Sequence, residues 1–210
     1  QAVQLDALVL SLADEELQKD PQIVCEAVER EWEMLQHVSE ELRGNRTFMM
    51  EAVGIEGMSL KYASAELSRD RELVVAAIGN SGQALEFAAQ ELRSDAEMVL
   101  MAIRQDFEAI CHAHETLAGD FSFMFRAVRV DGRALKGASI ELQADPDLVL
   151  AAVQQNWRSL GYANRALRAN LDFMLQAVGV DGFALAMAAE ELWMHPQLLA
   201  AAAQERDCPQ

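Results

Sequence analysis

The chain has 210 residues, 51% apolar and 24% charged, with four Pro and eleven Gly. That suffices for one or two ordinary domains or one array of repeats, with too few chain breakers for a linker-rich protein. Thirty-four acids against 17 bases leave a net charge of −17, which makes nucleic acid a poor partner, because phosphate binding needs a basic surface.

No apolar run approaches the ~20 residues of a membrane span. No basic leader precedes an apolar stretch, so no targeting segment is visible and a soluble protein is expected. Cys25, Cys111 and Cys208 have no framework spacing, which argues against a disulfide scaffold. Only 6% of residues are aromatic, while Ala and Leu abound, a profile that suits helices packed through small residues.

A repeat of 25 residues organises the chain. Capping-type residues recur at Asp20, Asn45, Asp70, Asp95, Asp120, Asp145, Asn170 and His195. Seven positions after each stands Ala, from Ala27 to Ala202, and a Leu column runs from Leu17 to Leu192. The first stretch, 1–19, reads as a partial repeat: Asp6, Leu10, Ala13 and Leu17 match the second half of a unit. Full repeats start at 20, 45, 70, 95, 120, 145 and 170, and a half repeat covers 195–210. The simplest expectation is a segment of a longer or processed array.

Each unit reads as two short helices. The first opens on its Asp/Asn cap, whose side chain accepts from an orphan N–H. Pro21, Pro146 and Pro196 suit its first position. A second cap column, eleven residues on, holds Asp6, Ser81, Asp106, Asp131, Asn156 and Asp181, with Glu31 and Glu56 as weaker occupants. Gly54, Gly79 and Gly179 precede it, where the first helix is expected to stop. This spacing predicts a first helix of about nine residues and a second of about eleven.

Both helices are shorter than the ~12–15 residues that persist alone in water, so each needs neighbours on two sides. The expected fold is all-α: an α-solenoid of tandem 25-residue helix-turn-helix repeats. An Ala column in the second helix (Ala63, Ala88, Ala113, Ala138, Ala163, Ala188) predicts close helix approach there.

Phe48–Met49, Phe123–Met124 and Phe173–Met174 go with Gly57, Gly132 and Gly182. Smaller pairs go with Trp32, Phe107 and Trp157. Constant packing density suggests that these two columns share one space. Leu73–Val74 with Gly82 breaks that rule, and Phe87 is the candidate to fill the gap.

Stretches such as Asp145-Pro-Asp-Leu-Val-Leu-Ala-Ala-Val-Gln-Gln-Asn-Trp and Gly57-Met-Ser-Leu-Lys-Tyr-Ala-Ser-Ala-Glu-Leu resemble a tandem helical repeat family known only as a domain of unknown function. Its members occur in many proteins of unicellular eukaryotes and some intracellular bacteria. Two of the present repeats make one family unit of roughly fifty residues. The resemblance implies tandem helical architecture and supplies no catalytic residue. The segment Ile110-Cys-His-Ala-His-Glu-Thr-Leu departs most from its pattern.

Candidate sites are few. Cys111, His112 and His114 would scatter around a helix rather than converge on zinc, so no metal or other cofactor is expected. The Glu column (Glu16, Glu41, Glu66, Glu91, Glu141, Glu191) lies at a predicted helix C-terminus, against the dipole. The expectation is that each Glu accepts backbone N–H groups of a neighbouring helix start; an acidic binding ladder is the alternative. The column His37, Tyr62, Phe87, Tyr162 reads as packing between repeats in preference to a ligand stripe.

Charge is uneven: residues 1–125 hold 24 acids and 9 bases, net −15, and residues 126–210 hold 10 acids and 8 bases, net −2. Arg126, Arg129, Arg133, Lys136, Arg158, Arg165 and Arg168 form a candidate partner-binding basic patch, steered by opposite charge. No phosphate loop, nucleophile elbow or His-Glu-x-x-His occurs. The expected function is a non-catalytic protein–protein interaction scaffold or a subunit of a larger assembly. The alternatives are a nucleic-acid-binding helical repeat protein and, behind it, a metal protein or enzyme.

Overall fold

The computed structural model describes residues 21–206. The partial repeat 1–19, the cap Asp20, Glu16 and Cys208–Pro209 lie outside the described residues. Every described element is helical, and these elements fall into two compact units, residues 1–112 and 113–210.

The 25-residue register is kept throughout. First helices span Pro21–Val28, Arg46–Ile55, Arg71–Asn80, Ala96–Gln105, Phe121–Val130, Pro146–Gln155, Leu171–Val180 and Pro196–Arg206. Their caps are made as the spacing predicts. Asn45 accepts from Phe48 N, Asp70 from Glu72 N and Leu73 N, Asp120 from Phe123 N, and Asn170 from Phe173 N. His195 is the exception: its Nδ1 is buried without a hydrogen-bond partner.

One stripe of each first helix is dry. Leu73, Val74, Ala77 and Ile78 are fully buried, and so are Met124, Ala127 and Val128. Spacings of three and four residues put these side chains on one face.

The second helix is not the single eleven-residue helix that the spacing predicts. A six-residue 3₁₀ segment comes first: Trp32–His37, Gly57–Tyr62, Gly82–Phe87, Phe107–His112, Gly132–Gly137, Trp157–Tyr162 and Gly182–Met187. The chain then straightens for two residues and closes with a turn of helix, for example Glu40–Arg43, Gln90–Arg93 and Arg165–Arg168. The Ala column sits at the break. Ala63 has φ −62° and ψ 151°, and Ala138 has φ −71° and ψ 152°.

Several of the breaks carry a third cap, while those at Ala89 and Ala189 form without one. Ser39, Ser64 and Ser139 accept from the N–H of Leu42, Leu67 and Leu142, and Asn164 accepts from Ala166 N. A side chain that holds its own downstream N–H competes with the helix ladder and restarts the helix.

The break also joins neighbouring repeats. Straightening frees a backbone N–H, which donates to a carbonyl in the closing turn of the previous repeat. In the first unit Ser64 N meets Arg43 O at 3.1 Å and Ala89 N meets Ser68 O at 2.9 Å. In the second, Ser139 N meets Ala118 O, Asn164 N meets Gln143 O and Ala189 N meets Arg168 O, all within 2.9 Å. A continuous helix would have no such donor to offer.

The glycines also differ from expectation. Gly54, Gly79 and Gly179 lie within their helices, have no positive φ and face open space. They are not C-caps; each helix ends on an extended residue such as Glu56, Ser81 or Asp181. A Cβ on Gly57 would strike the carbonyl oxygen of Ala77, and one on Gly132 that of Ala152. For Gly82 the obstacle is Ala102 O at 2.6 Å. The nearest atoms belong to the next repeat's backbone and not to the Phe-Met pair of the same repeat. Gly57, Gly82 and Gly132 thus share a close backbone approach that a Cβ would obstruct, although Trp32, Phe107 and Trp157 hold the same place in other repeats.

Candidate functional site

The seven basic residues occupy three settings within the second unit. Arg126 and Arg129 are exposed on the first helix Phe121–Val130, with the Arg129 guanidinium 6.0 Å from the Phe125 ring centroid. Arg133, Lys136 and Arg158 lie on the 3₁₀ segments Gly132–Gly137 and Trp157–Tyr162, which pack on each other. Arg165 and Arg168 lie on the short helix Arg165–Arg168.

Arg133 and Arg158 hold the same position in consecutive repeats, yet their surroundings differ. Asp131 grips Arg133 through both oxygens, at 3.0 Å to Nε and 2.7 Å to Nη2. That guanidinium, ahead of the backbone N–H of Arg133, holds the Asp131 carboxyl below its ordinary range. Asn156 stands where Asp131 stands in the previous repeat, and caps Arg158 N without supplying charge. The Arg158 guanidinium lies over the Trp157 ring, 4.5 Å from its centroid, and has no carboxylate partner among the described residues. Arg165 pairs with Glu191 at 2.8 Å.

Arg168 belongs to a column whose other members explain it. At the matching position Gln143 donates to Ala138 O at 3.1 Å and Trp193 to Ala188 O at 2.8 Å. Both satisfy a carbonyl at the end of a 3₁₀ segment. Arg43, Arg93 and Arg168 keep Nε buried there without a partner.

Around Arg158 the surface turns aromatic. Trp157 stacks on Phe183 with ring centroids 6.0 Å apart. Phe183 is 56% exposed, Trp193 49% and Met194 82%. Gly182, Phe183, Leu185, Ala186 and Trp193 line a cleft of about 390 Å³. Leu185 is half-exposed, whereas Leu35, Leu60, Leu85, Leu135 and Leu160 at its position are buried. Phe183 stands where other repeats carry Glu33, Met58, Gln83, Glu108, Arg133 and Arg158. The charge count missed this cleft; Phe183 is the aromatic member of a column that is otherwise polar in the described repeats apart from Met58.

The remaining candidates have structural duties. His112 Nε2 lies 2.8 Å from Gln83 Oε1 of the previous repeat, and Gln83 Nε2 donates to Asp106 at 2.5 Å. An amide oxygen only accepts, so His112 Nε2 carries the proton. His114 Nδ1 accepts from Thr116 N as a helix cap. Cys111 is exposed. Among the described residues no three His, Cys, Asp or Glu could hold a metal ion. Burial, followed by the charge of Glu51, pushes the Cys25 thiol up to about 11, so it stays protonated.

Half-buried Tyr62 leans on Trp32 of the preceding repeat, with centroids 5.8 Å apart. The Glu column is overturned in placement. Glu41, Glu66, Glu91, Glu141 and Glu191 are exposed, and they stand at the start of the restarted helix. An acid belongs there, and no dipole penalty arises. Backbone N–H, then the Ser139 hydroxyl, holds the Glu141 carboxyl below its ordinary range.

Among the described residues no helix is long and apolar enough to cross a membrane. A family model described as "Domain of unknown function (DUF4116)" matches residues 1–43, 20–68, 45–93, 70–118 and 120–168. Successive windows from 20 to 118 advance by one 25-residue repeat, so each spans two repeats. No curated protein matches the chain, and no solved structure does.

Proposed function

Since the chain belongs to the DUF4116 repeat family, we propose that it is a non-catalytic protein–protein interaction scaffold whose second unit carries the binding face. The observation that carries this reading is the apolar and basic surface around Arg158, Trp157, Phe183 and Trp193, in a protein of net charge −17. Exposed aromatic rings beside an arginine are the composition of interface anchors.

The test is complex formation by the full chain with proteins of its source, followed by light scattering on the purified complex. A saturable complex of fixed stoichiometry that Arg158→Glu weakens while the helical circular dichroism stays unchanged is the expected result. The reading fails if no protein partner binds and the chain instead titrates nucleic acid with a steep salt dependence.

A further inference from the structure

We propose that the cleft between Arg43 and Tyr62 binds a free amino acid as its zwitterion, with the carboxylate on the Arg43 guanidinium, the ammonium group on Glu40 and an apolar side chain against the Tyr62 ring. The site lies in the first unit, goes beyond the scaffold reading and does not depend on it.

The cleft is formed by two consecutive described repeats. Glu40 and Arg43 stand on the short helix Glu40–Arg43, and Tyr62, Ala63 and Ser64 stand where the next repeat breaks. The hydrogen bond from Ser64 N to Arg43 O, at 3.1 Å, fixes one wall against the other. The space between them is about 340 Å³, at the small end of the range for small-molecule sites, about 300–1,000 Å³. That size suits a ligand of amino-acid dimensions.

The chemistry of the walls narrows the class. Arg43 is half-buried, its Nε is shut off from water, and among the described residues no acceptor meets any of its N–H groups. Donors held out of water without an acceptor are costly, and a carboxylate accepts two of them in one fork. Glu40 is exposed, and no ion pair joins it to Arg43 or to another described cation, although Glu40 and Arg43 share one helical turn. One wall thus offers a cation and an anion, neither engaged by the other. An ion of a single sign would meet a like charge within the ~5–6 Å that separates such neighbours. A free amino acid carries both signs on one carbon, whereas a residue inside a peptide has lost both to amide bonds.

The remaining groups agree. Ser64 Oγ accepts from Leu67 N at 3.3 Å and keeps its own proton to donate. Burial, followed by the charge of Glu33, pushes the Tyr62 phenol up, so the ring that lines the cleft is neutral and does not repel a carboxylate. The combination is peculiar to this place among the described repeats. At the matching positions Arg93 is accompanied by Gln90, His112 and His114, and Arg168 by Arg165, Met187 and Ala189.

Calorimetric titration of the full chain with each of the twenty free L-amino acids tests the proposal. One saturable site per chain is expected, with an apolar side chain preferred over a charged one. The tightest binder's analogues, one lacking the amino group and one lacking the carboxylate, should each bind at least about tenfold more weakly. Arg43→Lys, which keeps the charge and removes the fork, should weaken binding about tenfold, and Glu40→Gln about threefold. Arg93→Lys and Glu41→Gln should leave it unchanged.

Binding of no amino acid overturns the proposal. So does an analogue with one charge that binds as tightly as the zwitterion, and so does binding that ignores both Arg43→Lys and Glu40→Gln. Glu40 is exposed, so Glu40→Gln keeps the melt in place as a fold control; should Arg43→Lys lose the melt, Glu40→Gln and the two analogues decide.

Discussion

The two units share a backbone plan and differ in what their helix starts expose. In the first, Arg46 pairs with Asp70 and Glu72 of the next repeat, and Arg71 pairs with Asp95. The same position holds Pro21 and Ala96 elsewhere in the first unit and Phe121, Pro146, Leu171 and Pro196 in the second. Phe121 stacks on Phe125 there, with centroids 5.8 Å apart. Residues 1–112 carry 22 acids and 9 bases, and residues 113–210 carry 12 and 8.

Caps, the mid-unit break and the N–H link between repeats recur in both units. The ion pairs are thus an addition to the fold and not its cause.

The sharpest way to break this comparison is to attack what the units share. Gly57→Ala in the first unit and Gly132→Ala in the second each push a Cβ into the next repeat's carbonyl. Each should cost about 3 kcal/mol, read from denaturant melts. A marked inequality between the two would mean that the repeats are not built alike. Ala138→Leu, at a position only 8% exposed beside the break, should cost roughly 1–3 kcal/mol through overpacking.

The period, the first helices and their caps were legible because each rests on local chemistry. An Asp or Asn accepts from its own downstream N–H whatever surrounds it. The break in the second helix was misread although its signal is equally local. Ala63-Ser64-Ala65-Glu66-Leu67 has a capping Ser followed by an acid, the signature of a helix start, and its apolar spacing also fits a continuous helix. Only the stacked neighbour decides, by offering the Arg43 carbonyl to Ser64 N. Gly57 was misattributed for the same reason: the atom that excludes its Cβ is twenty residues away, at Ala77. Among the seven basic residues, charge alone did not separate Arg158 from Arg133; the neighbours Asn156 and Asp131 do.

A smaller effect sharpens the comparison with one probe in each unit. Ser59 and Ser159 are fully buried at a position that other repeats fill with Ala84, Ala109, Ala134 and Ala184, and neither hydroxyl has a partner. Ser59→Ala and Ser159→Ala should each stabilise the protein by about 1 kcal/mol, the cost of a buried unmade hydrogen bond. Equal rises in denaturation midpoint are expected. A loss in either would show that its hydroxyl is satisfied in solution.

The smallest expected effect bears most directly on the difference between the units. The hydrogen bond from Arg46, ahead of backbone N–H groups, holds the Asp70 carboxyl below its ordinary value of 3.8. A depressed carboxyl contributes stability above that ordinary value and loses it as pH falls through the lower folded value. Arg46→Ala should therefore lower the denaturation midpoint slightly at neutral pH and low salt, and leave it unchanged once Asp70 is protonated or the salt is high.

The reciprocal change is Phe121→Arg, which places an arginine one repeat before Asp145 as Arg46 stands before Asp70. If the ladder is a removable addition, this variant acquires a salt-sensitive gain of similar size, offset by the lost stacking on Phe125. Urea melts at low and high salt separate the two terms, because only the ionic one is screened. A cost for Arg46→Ala that survives high salt would mean that the guanidinium acts by packing, and the two units would then differ in how they hold together as well as in what they present.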